Sequence, residues 1–334
     1  MRKVRVAIVG ATGAVGQEFR QVLSDRRFPA ANYKLLASAR SAGKSIDWVN
    51  GPAIVEELTP EAFEGCDIAL FSAGGSVSKE FGPIAARAGC VVVDNSSAFR
   101  MDPTVPLVVP EVNPDAVREH KGIIANPNCS TIILNVPLWP LHKANAVKRA
   151  VVSTYQAVSG AGARAMDELV AQTRAVLAGE TAKPEMFHVP CAFNVFSHNS
   201  TVGDDGFNVE ESKMVLETHK IFRDASIRVT ATCMRVPVLR AHTESVSLEF
   251  TNAISEDDVR SILSKAPGVK IVDDRKGNYF PMPIDASGKD DVLVGRIRRD
   301  PTIDGNRGIH FVCCGDQLRK GAALNAVQIA ELLQ

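Results

Sequence analysis

The chain has 334 residues, 45% of them hydrophobic and 23% charged, and its 38 basic residues balance 38 acidic ones. This length exceeds one ordinary hydrophobic core and predicts about two domains. Zero net charge, without any block of like charges, argues against a nucleic-acid partner and against an acidic membrane surface, although a few local arginines would suffice for a small anionic substrate.

The start of the chain and its cysteines indicate a cytoplasmic protein. Met1-Arg2-Lys3 precedes only a short apolar run, Val4 to Val9, which predicts a strand rather than a signal peptide. The long uncharged run from Gly122 to His142 contains three prolines and is a poor membrane span. The seven cysteines form no CxxC pair, and no His-x-x-x-His spacing suggests zinc, so we expect reduced thiols and no metal site.

A glycine-rich turn follows the first strand. The strand from Lys3 to Val9 leads into Gly10-Ala-Thr-Gly13-Ala-Val-Gly16, and Gln17 to Ser24 is predicted as a helix. This order is typical of a dinucleotide-binding site, in which glycines let the backbone approach a pyrophosphate at the helix N-terminus. A tight turn without a ligand is the alternative. The predicted cofactor contacts in this turn are Gly10, Thr12, Gly13, Ala14 and Val15.

The end of the second strand indicates which nicotinamide cofactor binds. A site that prefers NAD usually has Asp or Glu there, to hold the ribose 2′-hydroxyl group. After the predicted strand from Tyr33, this chain has Ser38-Ala-Arg40-Ser41 instead. An arginine with two hydroxyl groups suits a 2′-phosphate. Ser38, Arg40 and Ser41 therefore predict NADP(H) rather than NAD(H).

Four further apolar runs continue a predicted parallel sheet. Ligands of such sheets bind beyond the carboxyl ends of the strands. Arg100 lies in a loop at such an end and is a candidate anion ligand, with an ordinary surface arginine as the alternative. The runs are Asp67 to Ser72, Cys90 to Asp94, Leu107 to Pro110 and Gly122 to Ala125.

Cys129 lies where the last of these strands gives way to a helix, in the segment Ala125-Asn-Pro-Asn-Cys129-Ser-Thr131. A thiol at a helix N-terminus is close to unpaired backbone N–H groups and to the positive end of the helix dipole. Both favour the thiolate and lower the pKa from about 8.5. The alternative is a small buried hydrophobic residue, as most free cysteines are.

From about Ala150 the pattern changes, which predicts a second domain. A strand from Arg149 to Tyr155 ends at Gln156, before a turn of small residues that a ligand could approach closely. A helix is predicted after Asn208, which suits an N-cap. Glu211 and Lys213 in this helix are two residues apart and therefore do not share a helical face.

His242 is the candidate general base of the second domain. It lies between two runs predicted as antiparallel strands, Arg228 to Val236 and Glu244 to Phe250. A lone histidine is more often structural, so the assignment depends on the rest of the site. The last predicted elements are strands from Val292 to Arg299 and from Ile309 to Cys314 and a helix from Asp316 to Gln334.

Seven motifs of the chain, in order and spacing, resemble the bacterial aspartate-β-semialdehyde dehydrogenase family. The resemblance extends from the first strand to the final helix. The motifs are Gly10-Ala-Thr-Gly-Ala-Val-Gly16, Ser38-Ala-Arg-Ser41, Ala125-Asn-Pro-Asn-Cys-Ser-Thr131, Ser153-Thr-Tyr-Gln-Ala-Val-Ser-Gly-Ala-Gly162, Glu210-Glu-Ser-Lys213, Arg235-Val-Pro-Val238 and Ala241-His-Thr-Glu244.

The resemblance implies an α/β protein of two domains. The first would be an N-terminal Rossmann-like NADP-binding domain, residues 1–128 with 315–334, to which the C-terminal helix returns. The second, residues 129–314, would be an α+β catalytic and dimerisation domain with a mixed or largely antiparallel sheet. The resemblance also implies a homodimer formed through that sheet.

The activity implied is the reversible, NADPH-dependent reductive dephosphorylation of L-aspartyl-4-phosphate to L-aspartate-4-semialdehyde. This reaction belongs to the biosynthesis of lysine, threonine, methionine and diaminopimelate. Cys129 would form an acyl-thioester with release of inorganic phosphate, because a thioester is more electrophilic than a carboxylate. His242 would move the proton of the thiohemiacetal.

The resemblance also assigns the remaining site residues. Gln156 would orient the acyl group. Arg235 and Glu211 would hold the α-carboxylate and the α-ammonium group of the substrate, and Arg235 suits a carboxylate because its planar fork binds bidentately. Arg100 and Lys213 would hold the phosphate. The remaining cofactor contacts would be Ser159, Gly160 and Gln317.

Three alternatives remain open at this point. N-acetyl-γ-glutamyl-phosphate reductase runs the same acyl-phosphate reduction on a related substrate. Glyceraldehyde-3-phosphate dehydrogenase chemistry usually prefers NAD, against which the Ser38–Ser41 segment argues. A non-catalytic NADP-binding regulator with the same fold is the third.

Overall fold

The structure is a computed structural model that describes residues 3–48 and 51–334. Met1 and Arg2, with which the predicted first domain begins, lie outside the described residues. The strands are β1 Val4–Val9, β2 Ala30–Ala37, β3 Ser45–Ile46, β4 Ala53–Glu57, β5 Ile68–Phe71, β6 Val91–Asp94, β7 Ile123–Ala125, β8 Val147–Gln156, β9 Phe196–Ser197, β10 Arg228–Arg235, β11 His242–Phe250, β12 Val269–Ile271, β13 Val292–Arg299 and β14 Gly308–Gly315. The helices are α1 Ala14–Asp25, α2 Gly75–Arg87, α3 Cys129–Ala144, α4 Ala163–Leu177, α5 Val209–Phe222, α6 Glu256–Leu263, α7 Pro283–Ala286 and α8 Leu324–Leu332.

The chain divides into two compact units. The first contains Met1–Asn128 and Ala322–Gln334, and the second contains Cys129–Gly321. Residues 315–321, which the sequence analysis assigned to the first domain, belong to the second unit. The reason is the buried carboxylate of Asp316, which accepts hydrogen bonds from Arg240 Nε and from the backbone N–H of Gly288, each at 2.6 Å.

The first unit is built on a seven-stranded sheet in the order β3-β4-β2-β1-β5-β6-β7. Every pairing is parallel except that of β3 with β4. The strand order reverses between β1 and β5, so the turns after these two strands flank the point where such sheets bind ligands. The predicted Rossmann-like fold is confirmed.

One predicted strand of this unit is wrong. Leu107 to Pro110 forms only an isolated bridge between Leu107 and Ala125. Pro106 precedes this run and Pro110 ends it, and neither has an N–H group to donate to a strand ladder. The run therefore crosses the edge of the sheet without extending it.

The second unit is built on a mixed sheet in the order β12-β13-β14-β11-β8-β10-β9. The predicted strands β10 and β11 are not neighbours, because β8 lies between them, parallel to β10 and antiparallel to β11. Helix α3 packs on β8, β11, β13 and β14, and α5 packs on β10. One face of the sheet is therefore covered by these two helices.

The C-terminal segment departs from the single helix predicted for Asp316 to Gln334. A π-helical turn, Arg319–Ala323, comes first and α8 follows it. Helix α8 belongs to the first unit and packs on α1, so the predicted return of the C-terminal helix is confirmed. Across residues 3–48 and 51–334, none of the helices combines the length and apolar character needed to span a membrane.

Candidate active site

Three polar side chains of the second unit form one row across its sheet. Arg235 of β10 pairs with Gln156 of β8, and Thr243 of β11 pairs with Tyr155, which places His242 beside Gln156. Residues that lie side by side on neighbouring strands project from the same face of a sheet. All three side chains therefore point to the face that α3 and α5 cover. We call Arg235, Gln156 and His242 the catalytic row.

Cys129 is the first residue of α3 and lies over this row. Its Sγ is 3.4 Å from His242 Nε2. Its position at the helix start is the one that the sequence analysis predicted. Gly321, in the π-helical turn, packs against it so closely that a Cβ atom at Gly321 would lie 2.8 Å from Cys129 Cβ. No sequence signal pointed to Gly321, because its role depends on this tertiary contact.

His242 is completely buried, and its hydrogen bonds define its tautomer. The backbone N–H of Ala157 donates to Nδ1 at 3.0 Å, so the single proton of the neutral ring lies on Nε2, facing Cys129. Burial, together with the charge of Arg235, lowers the pKa of His242 to about 3. In this form Nε2 already carries a proton, so His242 can donate a hydrogen bond there but cannot accept a proton there. This differs from the general base that the sequence predicted.

The backbone before His242 is held by a glutamine. Ala241 has φ of 73°, a left-handed conformation that is costly for a residue other than glycine. Its N–H donates to Gln317 Oε1 at 2.8 Å, and Gln317 Nε2 donates to Ser159 Oγ. Gln317 and Ser159, both predicted as cofactor contacts, are therefore bonded to each other behind His242. Gly160 lies against the same ring, since a Cβ atom there would be 3.3 Å from His242 Cε1.

Arg235 is buried and surrounded by neutral hydrogen-bond acceptors. Nη1 donates to the carbonyl oxygen of Ala157 at 2.8 Å, and Nη2 donates to His198 Nε2 at 2.8 Å and to Asn199 Oδ1 at 3.1 Å. The ring of Phe187 lies under the guanidinium group, 5.6 Å from its carbon. His198 and Asn199 are not among the residues predicted from the sequence, because the segment around them has no periodicity.

Glu210, not the predicted Glu211, shares the site with Lys213. Lys213 Nζ lies 3.1 Å from Glu210 Oε2, and Gln156 Nε2 lies 3.5 Å from Glu210 Oε1. Glu211 instead forms the capping box of α5 with Asn208, and its Oε1 accepts from the backbone N–H of Cys233 at 2.9 Å. The signal that identifies Glu210 is its i,i+3 spacing to Lys213, which places both on one helical face.

The glycine turn of the first unit has the shape that a pyrophosphate requires. Gly10 has φ of 83°, and a Cβ atom there would lie 2.2 Å from the carbonyl oxygen of Ser72. A Cβ atom at Gly16 would lie 2.3 Å from the carbonyl oxygen of Gly10. Gly13 caps α1 without a side-chain hydrogen bond, and the first turn of α1 contains no acidic residue. The N–H groups of that turn therefore suit a phosphate ligand. Thr12, Ala14 and Val15 are half-buried beside them.

The other predicted ligands of the first unit differ in exposure. Ser38 and Arg40 are exposed at the end of β2, whereas Ser41 is buried. Arg100 is also buried, with Nε donating to the carbonyl oxygen of Asn126 at 2.9 Å and Nη2 to that of Asn95 at 2.8 Å. Arg100 therefore lies between the loop after β6 and the turn that leads into α3.

Comparison with known families identifies the class of protein. The family described as semialdehyde dehydrogenase, NAD binding domain, matches residues 5–120. The family described as semialdehyde dehydrogenase, dimerisation domain, matches residues 138–320. A dinucleotide-binding fold followed by a domain with a paired cysteine and histidine is thus a semialdehyde dehydrogenase architecture.

Individual relatives narrow this class. Aspartate-semialdehyde dehydrogenase of Synechocystis is 56% identical over 99% of this chain and 97% of its own length, and that of Bacillus subtilis is 48% identical over 100% and 98%. The crystal structure of aspartate semialdehyde dehydrogenase II from Vibrio cholerae, complexed with ASA, has a TM-score of 0.96 at 46% identity and covers 100% and 98% of the two chains. The Candida albicans enzyme with NADP has a TM-score of 0.77 at 27% identity, covering 99% and 98%. The chain belongs to the aspartate-semialdehyde dehydrogenase family.

Proposed function

We propose that the protein reduces L-aspartyl-4-phosphate to L-aspartate-4-semialdehyde with NADPH and releases inorganic phosphate. The observation that carries this proposal is the position of Cys129 at the start of α3, with Sγ 3.4 Å from His242 Nε2 and above a row that also contains Arg235. A nucleophile, a hydrogen-bond donor and a buried cation thus face the same space.

Cys129 supplies the nucleophile. Its thiolate attacks the acyl carbon and the C–O bond to phosphate breaks, leaving an aspartyl thioester on sulfur. Nε2–H of His242 is directed at the sulfur, where it can donate to the oxygen of the adjacent tetrahedral carbon. Addition of a hydride to the thioester carbon forms the C–H bond and gives a thiohemiacetal oxyanion. When this oxyanion collapses to the aldehyde, the C–S bond breaks and its electrons return to sulfur. This step needs no net proton transfer by His242, and the one proton that the overall reaction consumes goes to phosphate.

The charged groups of the site match the charges of the substrate. Arg235 would hold the α-carboxylate, because the hydrogen bonds of its buried guanidinium group all go to neutral acceptors. Glu210 would hold the α-ammonium group, in place of the predicted Glu211, and Gln156 would orient the acyl group from between them. Lys213 and Arg100 remain the proposed phosphate ligands.

The first unit would hold the cofactor. NADPH supplies the hydride when bound. The turn from Gly10 to Gly16 fits its pyrophosphate, and exposed Ser38 and Arg40 fit the 2′-phosphate because no Asp or Glu follows β2 there. Ser159, Gly160 and Gln317 remain proposed contacts on the nicotinamide side. We expect a higher kcat/KM for NADPH than for NADH, and Arg40→Ala should narrow that difference. A wild-type preference for NADH would contradict this assignment.

The relatives favour this activity over N-acetyl-γ-glutamyl-phosphate reductase. The buried carboxylate of Glu210 beside Gln156 supports the same choice, since an N-acetylated substrate has no ammonium group to pair with it. The test is to incubate the enzyme with NADP, phosphate and either aldehyde, and to follow NADPH by absorbance. Formation of NADPH with aspartate semialdehyde supports the proposal. Turnover of only the N-acetylglutamate aldehyde would contradict it.

We also propose a cytoplasmic homodimer that forms through the second unit. The matched family is described as a dimerisation domain, and Tyr155 is 42% exposed on the sheet face opposite the catalytic row. None of the seven cysteines, all of which lie in the described residues, forms a disulfide, as expected in a reducing compartment. Light scattering should give about twice the chain mass of 35.9 kDa. A mass equal to that of one chain would contradict the dimer.

A further inference from the structure

Residues 196–200 form a short edge of the second unit's sheet, next to the catalytic row. Strand β9 pairs antiparallel with β10, with Phe196 opposite Arg235 and Ser197 opposite Met234. The backbone N–H of His198 continues this pairing by donating to the carbonyl oxygen of Cys233 at 2.8 Å. The main chain therefore fixes where the side chains of His198 and Asn199 begin.

Both of these side chains accept hydrogen bonds from one nitrogen of Arg235. Nη2 donates to His198 Nε2 at 2.8 Å and to Asn199 Oδ1 at 3.1 Å, which uses both of its hydrogens. Nη1 donates to the carbonyl oxygen of Ala157, while Nε is buried without a hydrogen-bond partner. Two contacts on Nη2 and one on Nη1 define the plane of the guanidinium group, because three points fix a rigid plane.

The histidine must be neutral to make this contact. Arginine stays protonated in proteins, so Nη2 can only donate and His198 Nε2 must accept. Nδ1 of His198 lies 3.1 Å from Ser200 Oγ and 3.2 Å from the backbone nitrogen of Ser200, and Ser200 Oγ also accepts from the backbone N–H of Glu210 at 3.2 Å. Charged groups around His198 are Arg235, Glu210 and Lys213. Burial is the main cause that lowers the pKa of His198, to about 4, so the ring is uncharged at neutral pH.

Without His198 and Asn199 as acceptors, the guanidinium group of Arg235 could adopt other orientations. Glu210 is a buried carboxylate on the same side of the sheet, and it contacts Gln156, the neighbour of Arg235 in the catalytic row. Arg235 turned towards Glu210 would neutralise both charges that the proposed function assigns to substrate binding. His198 and Asn199 offer neutral acceptors instead, and Nη2 of Arg235 is directed at both of them.

We propose that His198 and Asn199 are positioning residues that aim Arg235 at the α-carboxylate of the substrate and thereby set the preference for aldehydes that carry one. This inference rests on the proposed function of Arg235. It assigns a role to a segment in which the sequence analysis found no motif.

The test compares two aldehydes that differ only in the carboxylate. These are L-aspartate-4-semialdehyde and 3-aminopropanal, each assayed with NADP and phosphate. His198→Phe keeps a ring of similar size but removes the acceptor. We expect it to lower kcat/KM for aspartate semialdehyde roughly ten-fold or more, which corresponds to a lost hydrogen bond to a charged group, while kcat/KM for 3-aminopropanal stays within about two-fold. His198→Gln, which can again present an acceptor, should restore most of the preference.

Two further variants keep the result interpretable. Asn199→Leu removes the second acceptor with little change in volume and should lower the same preference by about three-fold or more, even if His198→Phe folds poorly. His188→Phe is the matched control, because His188 packs on Phe196 of the 196–200 segment. We expect this variant to leave the preference for aspartate semialdehyde over 3-aminopropanal unchanged. Equal losses for both aldehydes in the His198 and Asn199 variants would overturn the inference.

Arg235→Ala separates this inference from the proposed function. If Arg235→Ala abolishes the preference but His198→Phe and Asn199→Leu do not, the inference fails and the proposed function stands. If Arg235→Ala leaves the preference intact, the assignment of Arg235 to the carboxylate fails, and the inference fails with it.

Discussion

Two neighbouring rows on the same face of one sheet have opposite chemistry. In the catalytic row, the side chains face Cys129 and the groups that hold it in place. The row two residues further along the strands is fully buried, and one carboxylate oxygen in it, Glu244 Oε1, has no hydrogen-bond partner. We call this second set the buried row; it consists of Cys233, Thr154, Glu244 and Cys313.

The comparison shows how position changes the surroundings of one residue type. Neither Cys129 nor Cys313 takes part in a disulfide. Cys129 begins a helix and faces Nε2–H of His242, whereas burial raises the pKa of the Cys313 thiol well above its usual value. Burial likewise raises the pKa of Glu244, which keeps this carboxyl group protonated.

The largest expected effect comes from substituting Cys129, with a substitution of Cys313 as the comparison. Cys129→Ser should lower kcat by roughly 10⁴-fold or more, because the weakly acidic hydroxyl group cannot replace the thiolate. NADPH binding, followed by fluorescence titration, should be unchanged. Cys313→Ala is the control and should retain kcat within a few-fold. A Cys129→Ser enzyme with normal turnover would mean that another group is the nucleophile.

His242→Asn should lower kcat by on the order of 10² or more, since it removes Nε2–H from the site. The pH profile of the wild type sharpens the comparison further. His242 has a pKa of about 3, so it stays neutral throughout the neutral range and should contribute no inflection to kcat there. An inflection near pH 6.5 that disappears in His242→Asn would show that the histidine titrates during turnover and would contradict the lowered pKa of His242.

A third prediction separates two adjacent glutamates. Glu210→Gln should raise KM for the aldehyde by about ten-fold, because it removes the charge proposed to face the ammonium group. Glu211→Gln should leave KM nearly unchanged and lower the free energy of unfolding by about 1 kcal/mol, because it weakens the capping box of α5. Kinetics and urea unfolding of both variants would check this. The reverse pattern would restore the role that the sequence analysis gave to Glu211.

The smallest effect concerns the buried row. The pKa of Glu244 is raised on folding, so between its usual value of 4.5 and the raised value the folded state holds a proton that the unfolded state releases. Stability should therefore fall as pH rises above about 4.5, by at most about 1.4 kcal/mol per pH unit from this one group. Glu244→Gln removes this slope. Urea unfolding of both proteins between about pH 5 and 8 should show that the advantage of the variant grows with pH. A constant difference would mean that Glu244 is ionised when folded.

Local patterns in the sequence were enough for the features that depend on neighbouring residues. The glycine turn and the start of α3 at Cys129 follow from spacing and turn chemistry, and the structure confirms both. The i,i+3 spacing of Glu210 and Lys213 is also present in the sequence, although the family resemblance pointed to Glu211.

Other features depend on which strands become neighbours. The insertion of β8 between β10 and β11 assembles the catalytic row, and no local periodicity encodes that order. The acceptors His198 and Asn199 come from an irregular segment whose only signal is its pairing with β10. The contact of Gly321 with Cys129 likewise exists only after residues far apart in sequence have packed together.

The central claim is that Cys129 carries the acyl group during turnover. The direct measurement is to mix the enzyme with aspartate semialdehyde and NADP without phosphate, quench the mixture in acid and locate the modified peptide by mass spectrometry. Without phosphate to release it, the aspartyl thioester should accumulate, on the peptide that contains Cys129, and hydroxylamine should remove it. The buried Cys313 should carry no label. NADPH formation without a label on Cys129, or a label on a different cysteine, would contradict the mechanism.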